Sequence, residues 1–238
     1  MCIICSAEFS QLINLTTITI PVCTVITNIP STLVNLESLH CYNCPHLVNI
    51  PPTLLNLEVL YVYNCPLLSG ISSNLVKLKT LDCIHCPLVF TLPDTFVNLT
   101  SLCYYNCPLI ITIPSTLINL ITLSCYGCPL LTTIPSTLIN LVTLNCENCP
   151  LIASIPSTLV NLSTVWVYAC PYLYIPFKIE KKFSVRKKLS LNNKISIFAS
   201  KLKTRWKRIQ RMKMIRFLNN ENTRLPWVLN ELVSSYLI

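Results

Sequence analysis

The sequence predicts a repeat solenoid, and two observations carry that expectation. Seven Cys-Pro pairs, at Cys44, Cys65, Cys86, Cys107, Cys128, Cys149 and Cys170, recur at an unvarying interval of 21 residues. Self-similarity at that period means one small supersecondary unit copied and stacked, each copy burying its apolar side against the next. The second observation is compositional: 52% of the 238 residues are hydrophobic and 11% charged, far from the balance of a disordered chain. Each copy offers about six aliphatic side chains, worth roughly 1.5–3 kcal/mol apiece before entropy is counted, so stacking is the stabilising step and an isolated copy does not fold.

The elements follow in chain order. Met1-Cys-Ile-Ile-Cys-Ser lacks a basic region and a long apolar stretch, so no signal peptide is expected. Leu12, Asn14, Leu15, Ile18, Ile20 and Cys23 fall on the repeat columns and mark a degenerate first coil. The clear unit reads Leu36-x-x-Leu39-x-Cys41-x-x-Cys44-Pro-x-Leu47-x-x-Ile50-Pro-x-Thr53-Leu54-x-Asn56, with Leu57 opening the next copy, and seven such copies run to about Leu173. Residues 95–146 carry no Asp, Glu, Lys or Arg, yet they form no membrane span. Prolines interrupt each unit at Cys-Pro and usually at Ile-Pro, and Ser, Thr and Asn fill the intervals, so no apolar run reaches about 20 residues.

This unit resembles the leucine-rich repeat family, whose L-x-x-L-x-L-x-x-N/C-x-L signature is met with Cys41 in an apolar position and Cys44 in the Asn/Cys position. The resemblance covers residues 12–173. It implies an α/β repeat solenoid with one short parallel strand per coil on a concave side. The Ile113-Pro-Ser-Thr-Leu117 type of segment then forms a turn or a single helical turn on the convex side, where proline fixes φ and Ser or Thr can cap. On such a strand Leu39 and Cys41 point inward, His40 and Tyr42 outward. The Ile, Asn and Lys usage also resembles repeat proteins of large DNA viruses of amoebae. That likeness makes a viral protein in a host cytoplasm or nucleus the expectation and supplies no partner.

The charge divides the chain in two. Residues 1–175 carry Lys77 and Lys79 against six acids, a net −4; residues 176–238 carry 16 bases against Glu180, Glu221 and Glu231, a net +13. The expected domains are therefore a solenoid over 1–175, of about eight coils, and a basic, largely helical segment over 176–238. Within that segment Phe198, Leu202, Trp206, Ile209, Met212 and Ile215 recur at near-helical spacing. Lys201, Lys203, Arg205, Lys207, Arg208, Arg211, Lys213 and Arg216 fill most of the remainder. Two roles fit: a cap on the exposed apolar edge of the last coil, and a surface for anionic membrane or nucleic acid.

Fifteen cysteines without a signal peptide suggest reduced thiols in an intracellular compartment. Cys125-x-x-Cys128 and Cys146-x-x-Cys149 have a four-cysteine zinc spacing. The first cysteine of each pair, however, shares its column with Val62, Tyr104 and Val167, as an inward apolar site does. No metal or cofactor is expected. Bridges between coils are disfavoured too, since parallel strands hold equivalent Cβ atoms about 4.8 Å apart where a disulfide wants about 3.8 Å.

Catalytic constellations are lacking. Gly70 and Gly127 are the only glycines, leaving no phosphate-cradling loop; His40, His46 and His85 have no motif partners; and Cys103 has no cationic neighbour in sequence to lower its pKa. The informative surface is instead a tyrosine column, Tyr42, Tyr63, Tyr105, Tyr126 and Tyr168, interrupted by Ile84 and Glu147 and flanked by Asn43, Asn64, Asn106 and Asn148. Beside it the copies diverge: His40, Tyr61, Asp82, Cys103, Ser124, Asn145 and Trp166 stand at equivalent positions. The sequence thus predicts a non-enzymatic module that binds a protein or peptide on its concave strand face, with nucleic-acid or anionic-membrane binding through the basic helix as the alternative.

Overall fold

A computed structural model describes residues 13–180. Eight strands form one parallel sheet in chain order: β1 (Thr17–Ile20), β2 (Ser38–Tyr42), β3 (Val59–Tyr63), β4 (Thr80–Ile84), β5 (Ser101–Tyr105), β6 (Thr122–Ser124), β7 (Thr143–Asn145) and β8 (Thr164–Trp166). Leu39 lies opposite Leu60, Leu60 opposite Leu81 and Leu81 opposite Leu102, so the period of the Cys-Pro pairs is the register of the sheet. The degenerate first coil keeps its place without a Cys-Pro pair, since Ile18 pairs with Leu39 and Ile20 with Cys41.

The pleat sends alternate residues to opposite faces. Leu39 and Cys41 are fully buried while His40 and Tyr42 stay half-buried on the outward face, and β3, β4 and β5 repeat that pattern. Inward columns of Leu, Ile and Cys from every coil join in one core, which continues to Ile175 and to Ile179 in the four-residue helix α1 (Phe177–Glu180). All four cysteines of the zinc-like spacing sit in this core: Cys125, Cys128, Cys146 and Cys149 are buried. Their thiols behave as weak donors, Cys149 Sγ reaching the Cys125 carbonyl at 2.8 Å and Cys170 Sγ the Cys146 carbonyl at 2.8 Å. Burial pushes the Cys128 and Cys149 thiols up to about 12, away from the thiolate a metal would need.

Away from the sheet the backbone makes tight turns, and carbonyls there have no neighbouring strand to accept from. Two side-chain ladders satisfy them. Thr53, Thr95, Thr116, Thr137 and Thr158 each donate a hydroxyl to a carbonyl one coil earlier, at 2.6–2.8 Å. Asn35, Asn56, Asn98, Asn119, Asn140 and Asn161 donate their amides likewise, at 2.8–3.0 Å. The threonines therefore tie coil to coil rather than capping a helical turn. Lys77 replaces asparagine in this column and donates to Asn56 Oδ1 at 2.8 Å.

The strands β2 to β8 are each followed by a left-handed residue. Asn43, Asn64, His85, Asn106, Asn148 and Ala169 have φ of 52–56°, and Gly127 has 66°. Their N–H groups close the parallel ladder, Asn43 donating to the Tyr63 carbonyl at 2.9 Å and Asn64 to that of Ile84 at 2.8 Å. Asparagine tolerates this conformation and glycine adopts it freely, whereas alanine carries the Cβ penalty. Ala169→Gly is accordingly expected to raise the unfolding free energy by about 0.5–1 kcal/mol. Urea titration checks this against Ala153→Gly, a non-strained alanine on the preceding coil, which should lower it.

Candidate functional site: the outward face of the sheet

The outward residues form two rows across the strands. The middle row is His40, Tyr61, Asp82, Cys103, Ser124, Asn145 and Trp166, aligned by direct register from β2 to β8. The second row is Tyr42, Tyr63, Ile84, Tyr105, Tyr126, Glu147 and Tyr168. Every one of these side chains is half-buried or exposed, with Trp166 39% and Tyr168 52% exposed, so the predicted surface residues are brought together on one face.

The aromatic groups touch. His40 packs edge-on against Tyr61, with ring centroids 4.7 Å apart, and Tyr42 lies 6.5 Å from Tyr63. The gap that Ile84 leaves in the tyrosine column is filled by His85, whose ring stands 5.7 Å from Tyr63 and 5.4 Å from Tyr105. Tyr105 and Tyr126 then stack at 4.4 Å with planes only 5° apart. A ribbon of rings therefore runs unbroken from β2 to β6, with a histidine the sequence left without a partner as its bridge. The left-handed φ of His85, 53°, is what turns the residue after the strand onto this row.

One sequence reading gains a backbone explanation here. Asn43, Asn64, Asn106 and Asn148 are set by their backbone: they are the residue type that the strand-ending conformation favours, and a role as interface flankers is not needed to account for them. Gly127 in the same column was the available signal. A Cβ there would meet the Asn106 side chain in addition to the positive φ. Cys103, on the outward face, is half-buried, and burial, then the Asp82 carboxylate, push it up to about 11, with a hydrogen bond from Ser124 pulling the other way. It is a poor nucleophile at neutral pH. The basic residues Lys201 to Arg216 lie outside the described residues.

Asp82 is the electrostatic singularity of the face. Its carboxyl is half-buried between Tyr61 and Cys103, and burial holds its pKa above the ordinary carboxylate value. Among the described residues it has no ion-pair partner; the one salt bridge, Lys79 to Glu58 at 2.7 Å, lies on the edge of the coil. A raised native pKa means that stability is fullest where the carboxyl is protonated in both states and falls as pH rises from the unfolded value through the folded one. Asp82→Asn is therefore expected to melt higher than the parent at neutral pH, with the difference closing as pH drops below the carboxylate range. Thermal melts across pH check the sign.

The architecture defines a class: a parallel-strand solenoid in which buried columns carry the fold and outward columns are free to vary. Its units are similar to those of leucine-rich repeat proteins: the family model Leucine Rich Repeat matches residues 56–78, 119–141 and 140–162. No curated protein matches the chain. Among solved structures it is similar to the leucine-rich repeat domain of the type III effector XopL, with 20% identity and a TM-score of 0.50 over 65% of this chain and 59% of that one. It is also similar to InlJ of Listeria monocytogenes, whose functional domain includes a cysteine ladder, at 20% identity and TM-score 0.40 over 79% and 48%. A third is the Arabidopsis receptor kinase HAESA ectodomain with its peptide hormone ligand, at 25% identity and TM-score 0.48 over 65% and 30%. The chain spans less than two thirds of each of these structures.

Proposed function

We propose that the protein is a non-enzymatic interaction module that docks a protein or peptide segment on the outward face of its sheet. The observation that carries this is the ribbon of rings: contiguous aromatic groups with polar tips, held on a rigid sheet, are what binding hot spots are made of. Four strand spacings separate β2 from β6, about 19 Å, which matches about six residues of an extended chain lying across the strands. Leucine-rich repeat proteins commonly serve as protein–protein interaction modules, which agrees. Free thiols in every described coil are suited to a reducing, intracellular setting.

The test is a displayed library of random peptides selected on the full chain. Peptides recovered on the parent should bind Tyr105→Ala/Tyr126→Ala more weakly by about tenfold or more. The melting temperature should move little, because both rings stand on the outward face and the stack itself is worth only about 0.5–1.5 kcal/mol. Equal affinity for parent and variant, with a large thermal loss, would assign the tyrosines to the architecture instead. The runner-up, binding of nucleic acid or anionic membrane by the +13 segment, predicts steep loss of affinity with salt, which a tyrosine-centred surface does not share.

A further inference from the structure

Within the ribbon of rings one residue is out of keeping with its neighbours. Equivalent positions hold His40, Tyr61, Cys103, Ser124, Asn145 and Trp166, while β4 presents Asp82. Aspartate is disfavoured in strands, and a half-buried carboxylate that accepts no hydrogen bond and meets no cation among the described residues costs stability. Folding gives no reason for it, since the sheet accommodates six other residue types at the same place. The surroundings indicate what it would gain. Tyr61 lies directly beside it in register, Tyr63 and Tyr105 stand in the next row on the adjoining strands, and the middle and tyrosine rows contain neither lysine nor arginine from β2 to β8. The only other charge in those rows, Glu147, is also negative. Both lysines of the coils are engaged on the edge, Lys79 with Glu58 and Lys77 with Asn56.

We infer that Asp82, with Tyr61 and Tyr105 beside it, is an arginine-recognition subsite of the sheet face, and that the docked peptide segment carries an arginine which pairs with this carboxylate. The inference rests on the docking role proposed above and specifies the partner's chemistry. A carboxylate set among aromatic rings suits a guanidinium better than an ammonium. The planar fork forms two parallel hydrogen bonds to the carboxylate, its faces stack on tyrosine, and it is the more weakly hydrated of the two cations. The negative sign of the face and the absence of a competing cation on it supply the complementarity that selects such a segment from others.

The same library, selected on the full chain, tests it. Peptides that depend on Tyr105 and Tyr126 should be enriched in arginine relative to the unselected pool. Asp82→Asn should abolish that enrichment. Synthetic peptides from the selection should lose about tenfold in affinity on Asp82→Asn, and about as much when their arginine is replaced by the neutral isostere citrulline, with no further loss when both changes are combined. Replacement of the arginine by lysine should cost several-fold. Because Asp82→Asn is expected to be at least as stable as the parent, lost binding is not lost folding. Tyrosine-dependent peptides without arginine enrichment, or with equal affinity for Asp82→Asn, would overturn the arginine subsite and leave the docking face standing. Peptides indifferent to the tyrosine substitutions would overturn both.

Discussion

Replacing Phe96 by alanine is expected to lower the unfolding free energy by about 3–5 kcal/mol, the range for removing a fully buried aromatic side chain. Phe96 stands in a column that holds leucine at positions 33, 54, 75, 117, 138 and 159, all fully buried. Its ring fills space between neighbouring coils, and alanine would leave a cavity that those coils, fixed by the sheet on one side and the asparagine ladder on the other, cannot collapse into. Phe96→Leu restores the residue of the other copies and should cost no more than about 1.5 kcal/mol. Urea unfolding of the two variants checks the contrast; equal losses would mean that the cavity is not the cause.

Tyr104→Phe is expected to move stability the other way, by about 1–3 kcal/mol. Tyr104 takes an inward position that the other coils give to cysteine, valine or, in β1, isoleucine, and it is fully buried. Its hydroxyl has no hydrogen-bond partner among the described residues, and burial, followed by the nearby thiols of Cys83, Cys107, Cys125 and Cys128, raises its pKa well above the ordinary phenol value. Removing the oxygen abolishes the desolvation cost and keeps the ring packed. Denaturant midpoints with an unchanged slope would confirm the gain, whereas a loss would show that the hydroxyl is satisfied when the protein is in solution.

The inward columns and the register were legible in the sequence because the period never varies: once Leu39 and Cys41 are placed inward, every copy follows, and Tyr104 is revealed as a large residue in a column of smaller ones. The fourteen outward positions from His40 to Tyr168 were legible for the same reason. Four features were not. His85 joins the ring ribbon only because its backbone is left-handed, which its own neighbours in sequence do not disclose. Asn43 and its equivalents read as surface polarity beside tyrosines until the φ angles are known. The amides of Asn35 and Asn56 reach carbonyls 22 residues back, a pairing that depends on the exact stacking of coils. The lone character of Asp82 likewise required the edge lysines to be located, since Lys77 and Lys79 are its near neighbours in sequence and face elsewhere.

The two side-chain ladders and the sheet share one spacing, and this constrains how such a chain can change in length. Inserting a single residue between two strands would put the sheet, the threonine hydroxyls and the asparagine amides out of step together, so no local adjustment can absorb it. Duplicating a whole coil re-pairs nothing: each ladder gains one rung, and the outward face gains one fresh row about 4.8 Å wide. Growth by copying is therefore the inexpensive direction for this architecture. It enlarges the surface available to a ligand while every row already in use keeps its neighbours.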